Sequence, residues 1–112
     1  MPGRKPRLPV RVRRLVASLM PYSPDRVYLF GSWARGEADD LSDLDVVLIK
    51  QTPAPFMERL LEASRFLPPE IGHVDILVYT PEEFAAMVAA GNAFAEMIQE
   101  EGVLIYEREA PK

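Results

Sequence analysis

Four short apolar segments alternate with amphipathic ones along this chain, and their periods differ. Val27, Tyr28, Leu29 and Phe30 form a run with strand character that Gly31 ends, so Arg26 to Phe30 is expected to be a strand followed by a polar segment through Ser42. Leu44 to Ile49 is a second strand, apolar on both parities after Asp45, which places it inside a sheet covered on both faces. Met57, Leu60, Leu61 and Ser64 follow helical spacing and predict an amphipathic helix over Ala54–Phe66, stopped by Pro68-Pro69. His73 to Tyr79 reads as the third strand. Thr80-Pro81-Glu82-Glu83 has the form of a capping box with proline at the first helical position, opening a helix through Ala90 that Gly91 ends. Asn92 can cap a further helix carrying Phe94, Met97 and Ile98, closed by Gly102, and Val103 to Tyr106 makes a fourth strand at a sheet edge. The apolar stripes Phe84, Met87, Val88 and Phe94, Met97, Ile98 are read as core. Pro9 can open a first helix through Met20. The expected fold class is therefore α/β (α+β): one domain over residues 9–108, a short mixed sheet with helices packed on it, preceded by a flexible basic tail over residues 1–8.

Composition narrows the chemistry. The 112 residues hold no cysteine and one histidine, which removes disulfides, thiol nucleophiles, zinc sites built on cysteine and His-rich metal sites, so any metal is expected to be held by oxygen. The net charge of −4 is unevenly spread: six of the thirteen basic residues (Arg4, Lys5, Arg7, Arg11, Arg13, Arg14) precede residue 15, where no acid occurs. The remaining chain sets seven basic residues against seventeen acidic ones. Such a body repels phosphate backbones and welcomes a divalent cation, so a long nucleic acid is disfavoured as a partner. No apolar run reaches membrane-spanning length and the basic N-terminus leads into no signal-peptide core, so no membrane is expected and a cytoplasmic location is.

The chemistry concentrates between Tyr28 and Ile49. Asp43 and Asp45 lie two residues apart at the start of a buried strand, on one face and about 6.5–7 Å apart along it. Carboxylates held that close repel unless a cation neutralises them, and hard oxygen donors suit Mg²⁺ or Mn²⁺. Asp75 occupies a similar place in the third strand; were the two strands neighbours, three acids would share one rim, a lattice able to hold two metals for phosphoryl or nucleotidyl displacement. Gly31-Ser32 adds a close backbone approach and a hydroxyl for an anion. Arg35 can serve either the carboxylates or a phosphate. Asp-x-Asp alone is often only a solvated or capping pair, and an EF-hand is excluded because Val47 stands at the fifth loop position and the required glycine is missing. His73 shares parity with Asp75 but is read as an ordinary surface group and stays outside the site. Trp33 is read as covering a core edge, and Glu37, Asp39 and Asp40 as a solvated loop.

These residues resemble the minimal nucleotidyltransferases of the DNA polymerase beta-like superfamily, of HEPN/MNT antitoxin type. Their signature is Gly-Ser, ten residues, then Asp-x-Asp; here the ten are Trp33 to Ser42, within the fuller pattern Gly31-Ser32-Trp33-Ala34-Arg35-Gly36 and Ser42-Asp43-Leu44-Asp45. The resemblance implies a nucleotidyltransferase fold and a Mg²⁺-dependent transfer from ATP or another NTP, with Asp43, Asp45 and Asp75 as catalytic metal ligands and Gly31, Ser32 and Arg35 as nucleotide-binding residues. It also implies a HEPN-domain toxin as partner, modified with AMP on a hydroxyl. Larger members carry an added helical domain; this chain would need a partner or a homo-oligomer to complete the cleft. Two alternatives stand beside this expectation: a non-enzymatic antitoxin that neutralises a partner by binding, and a small-molecule nucleotidyltransferase.

Overall fold

A computed structural model describes residues 8–39 and 41–109. The expected basic tail, apart from Leu8, lies outside the described residues, as does Asp40. In chain order the elements are α1 (Val10–Leu19), a 3₁₀ turn (Met20–Tyr22), β1 (Arg26–Phe30), the one-turn helix α2 (Ser32–Arg35), β2 (Leu44–Ile49), α3 (Phe56–Ser64), a second 3₁₀ turn (Pro69–Ile71), β3 (Val74–Tyr79), α4 (Pro81–Ala89), α5 (Ala93–Glu101) and β4 (Val103–Glu107). No helix among them is long and apolar enough to cross a membrane.

The strands form one mixed sheet in the order β3-β2-β1-β4. β1 runs antiparallel to both β2 and β4, while β2 and β3 are parallel, joined by the crossover that contains α3. β4 lies at an edge of the sheet, as expected. β2 is interior and its side chains alternate between two apolar layers: Leu44, Val46 and Leu48 pack with Val12, Leu15 and Leu19 of α1, whereas Val47 and Ile49 pack with Ile98 of α5. This explains why the strand is apolar on both parities. Phe30, Tyr79, Phe84 and Phe94 complete the second layer, Phe94 standing edge-on to Phe30 at 5.5 Å between ring centres.

Two expectations are corrected. The inward face of α3 is displaced by one residue from the predicted stripe: Met57 and Leu61 are 68% and 62% exposed, Ser64 is exposed, and the buried positions are Arg59 and Ala63, with Leu60 packed beside them. The turn of the helix is set by Arg59, whose guanidinium donates to the carbonyls of Ala54 (2.8 Å) and Val78 (3.2 Å) and to both oxygens of Glu83 (3.1 Å for the longer bond). A fully bonded arginine can occupy a core position that hydrophobic periodicity assigns to methionine or leucine. The second correction concerns α4. Its N-terminus carries the expected capping box, Thr80 and Glu83 exchanging side-chain and backbone bonds of 3.1 and 2.8 Å, yet none of its residues is fully buried. Phe84, Met87 and Val88 are half-buried, and Phe84 and Val88 line a groove of about 540 Å³ between α4, α5 and the sheet.

Candidate active site

Parallel pairing of β2 with β3 places Leu44 opposite Val74 and Asp45 opposite Asp75. Asp43 and His73 stand one residue earlier on each side, where the Leu44 amide donates to the His73 carbonyl at 3.1 Å. Strand alternation then directs all four side chains to one face, the same as Val47, and yields a two-by-two array, Asp43 and Asp45 on one strand, His73 and Asp75 on the next. Asp43, His73 and Asp75 each offer a ligand atom, and these atoms lie within 4.8 Å of one another. His73 Nε2 is 3.0 Å from Asp75 Oδ1. Asp45 completes the array from inside. Burial raises its carboxyl above the ordinary aspartate value, the Asp75 carboxylate and a hydrogen-bonding contact with it raise it further, Asp43 adds to this, and His73 pulls the other way. The aromatic layer explains the burial: Phe30 is Asp45's partner across β1 and packs on Phe94.

Gly31 closes the opposite side. Its backbone turns through φ +74° straight out of β1, and a side chain there would collide with Asp45 Oδ2. Glycine is therefore needed both for the turn and for the approach of the carboxylate. Ser32 opens α2 immediately afterwards, and the Gly31 carbonyl accepts from the Ala34 and Arg35 amides at 3.1 and 3.2 Å. Four of the sequence-derived residues around the cleft (Gly31, Asp43, Asp45, Asp75) thus converge, with Ser32 next to them in the chain. Arg35 does not reach the carboxylates; its Nε pairs with Glu37 at 2.7 Å on the surface. Asp39 accepts from the Leu41 amide at 2.9 Å and from Ser42 Oγ at 3.2 Å, which makes it a loop organiser. Trp33 packs at the edge of the first apolar layer, as expected, and its indole donates to the Ser42 carbonyl at 3.2 Å.

His73 is the polar group that the sequence reading left out. The available signal was its spacing of two residues from Asp75, which in a strand means a shared face.

The ligand atoms that converge are two carboxylates and one imidazole, Asp43, Asp75 and His73, with the Asp45 carboxyl in contact with Asp75 behind them. A divalent cation that takes oxygen donors and tolerates nitrogen fits such a set. A glycine-serine corner beside an acid rim, on a mixed sheet covered by helices, defines a class of protein that handles polyphosphate esters with a divalent ion. A family model described as "Nucleotidyltransferase domain" matches residues 11–103, and the chain belongs to that family. A relative in Methanocaldococcus jannaschii, named "Putative protein adenylyltransferase", is 46% identical over 39 residues, a stretch that is 34% of this chain and 39% of that protein. Among solved structures, a "putative nucleotidyltransferase" from Sulfolobus solfataricus shares the fold with a TM-score of 0.62 at 23% identity, over 96% of this chain and 94% of that one. A chain of a toxin-antitoxin structure with AMP-PNP is more distant, at a TM-score of 0.54 and 15% identity over 87% and 73% of the respective chains.

Proposed function

We propose that the chain is a Mg²⁺-dependent nucleotidyltransferase that moves AMP from ATP to a hydroxyl of a partner protein, acting as the antitoxin of a HEPN-domain toxin. The observation that carries the reading is the in-register pair Asp45 and Asp75 on adjacent parallel strands, with Asp43 beside them and Gly31 pressed against Asp45. The name of the M. jannaschii relative supports adenylyl transfer to protein, and the fold shared with a toxin-antitoxin chain supports the setting.

Asp43, Asp45 and Asp75 would hold the metal, which when bound supplies charge neutralisation at the reacting phosphate. The chain's own residues do the remainder. Gly31 lets the triphosphate approach the backbone, and Ser32 offers a hydroxyl to its terminal phosphate. Asp75, an exposed acid on β3, would orient the acceptor hydroxyl and take its proton as the oxygen attacks the α-phosphate and pyrophosphate leaves. Arg35 would have to release Glu37 to contact a phosphate, an exchange of one charge-assisted bond for another.

The test is incubation of the purified toxin-antitoxin complex with α-labelled ATP and Mg²⁺. Label is expected on a toxin hydroxyl side chain, and an Asp43→Ala, Asp45→Ala variant should still bind the toxin while transferring at least a thousandfold less label, roughly the share that electrostatic stabilisation of such a transition state supplies. Label transfer that survives both changes would defeat the catalytic reading, and neutralisation without any transfer would leave a binding module.

A further inference from the structure

We infer that Arg11 is a positioning residue for the acid rim, a clasp that fixes the mouths of β2 and β3 at the spacing a shared cation needs. The inference rests on the metal-dependent reading above and adds a part to it that lies in none of the signature segments.

Arg11 sits in the first turn of α1, on the layer opposite the acids, and its guanidinium reaches round the strand ends. Its Nε donates to the Ile71 carbonyl at 2.7 Å, one terminal nitrogen to the Ser42 carbonyl and the other to the His73 carbonyl at 3.1 Å. Ser42 directly precedes Asp43, and Ile71 and His73 bracket Gly72 in the segment that leads into β3. The guanidinium carbon also lies 5.5 Å from the Trp33 ring centre, and the Trp33 indole donates to the same Ser42 carbonyl. One planar fork therefore touches all three segments that bear the site: the Gly31-Ser32 corner through Trp33, Asp43 through Ser42, and the His73-Asp75 pair through two carbonyls.

Two further features show that the fit is specific. Among the described residues no carboxylate lies within ion-pair distance of Arg11, so its charge is directed at carbonyl oxygens and not cancelled by an acid. Gly72, at φ +83°, lies beneath the fork, and a Cβ there would stand 2.9 Å from a guanidinium nitrogen. The clasp has a physical task. Asp43, Asp45 and Asp75 repel one another when no cation is bound, and the Leu44 amide to His73 carbonyl bond lies at the very mouth where the strands begin to pair. Three charge-assisted bonds across that mouth oppose the splaying.

Arg11→Lys is the discriminating change, because it keeps the charge and loses the fork; an ammonium cannot address three carbonyls in one plane. The full chain is titrated with Mn²⁺ at 25 °C, following the electron paramagnetic resonance of the free ion, with thermal unfolding measured in parallel without metal. Arg11→Lys is expected to weaken Mn²⁺ binding about 10- to 100-fold, the range seen when partners that orient metal ligands are removed. A purely stabilising arginine would lower the unfolding temperature and leave the 25 °C affinity unchanged. Trp33, the sole tryptophan, reports the loss of the guanidinium from its ring face as an emission shift in the same samples. Arg11→Lys binding Mn²⁺ within twofold of the parent overturns the clasp. If that variant does not fold, Gly72→Ala decides by the same threshold, since it crowds the fork without touching an acid. Failure of the parent chain to bind Mn²⁺ sinks the metal reading and the clasp together, whereas a binding parent with unaltered variants sinks the clasp alone.

Discussion

Gly31 shows how narrow the site's tolerances are at the scale of one residue. Alanine there would have to adopt φ near +74° and place a methyl against Asp45 Oδ2. Backbone strain of this kind costs on the order of 1–3 kcal/mol, so Gly31→Ala should unfold at a lower temperature and bind Mn²⁺ more weakly, because Asp45 must yield. Calorimetry with a Mn²⁺ titration checks both; a variant matching the parent in each would show that the corner has slack. His73 makes a separate prediction. If its Nε2 shares a cation with Asp75, Mn²⁺-loaded protein should show ¹⁴N modulation in pulsed electron paramagnetic resonance, lost in His73→Ala; a parent with no such modulation keeps His73 out of the ligand set. The signature residues were readable because they are adjacent in sequence and chemically unusual. His73 was readable only by parity. Arg11 was not readable at all: its three acceptors are backbone carbonyls 31 to 62 residues away, and no residue type marks a carbonyl.

Elements were legible where chemistry and period agreed. β1 and β2 match their expected bounds, and the Thr80-Glu83 cap forms as its spacing requires. α3 was legible as a helix but not in its rotation, because apolar periodicity cannot see that Glu83 on α4 neutralises an arginine. That pair joins the crossover helix to α4, with Arg59 only 6% exposed and the Glu83 side chain 44% exposed. The hydrogen bond from Arg59, followed by the Thr80 backbone amide, holds the Glu83 carboxyl below the usual glutamate value. A carboxyl whose folded value lies below its unfolded one stabilises fully at pH above the ordinary glutamate range, and this contribution fades as the pH falls through the depressed value. Removing the carboxylate strands a buried charge and half the capping box, although solvent around Glu83 screens the pair. Glu83→Ala should therefore cost about 2 kcal/mol at neutral pH, and Glu83→Gln, which keeps a capping side chain, about 1 kcal/mol. Urea unfolding as a function of pH should show the parent's stability converging on that of Glu83→Gln in acid; parallel curves would assign the pair no electrostatic role.

The whole molecule divides its rigidity unevenly about β2. On one side α1 contributes Val12, Leu15 and Leu19, fully enclosed, and the Arg11 contacts; on the other, α5 contributes Ala95 and Ile98, while α4 contributes no enclosed residue and borders the groove with Phe84, Ala85 and Val88. Loss of contact with water over an apolar face is what makes an element expensive to open, so α4 should open locally at a free energy well below that of global unfolding. Amide exchange tests this directly. Val46, Val47 and Leu48, central in the sheet, should exchange only through global unfolding. The second half of α4, beyond the cap and the Arg59-Glu83 pair that hold its first turn, should exchange at least tenfold faster than β2, about 1.4 kcal/mol less protected. Equal protection across α4 and β2 would mean that the half-buried layer is as firmly held as the enclosed one. The asymmetry bears on function because the acids rise from β2 and β3 while Arg11 is carried by the enclosed layer. The rim is thus anchored to the rigid half of the molecule, and binding of Mn²⁺ should leave the α4 exchange rates unchanged while slowing those of Leu44 and Asp45 at the mouth of β2.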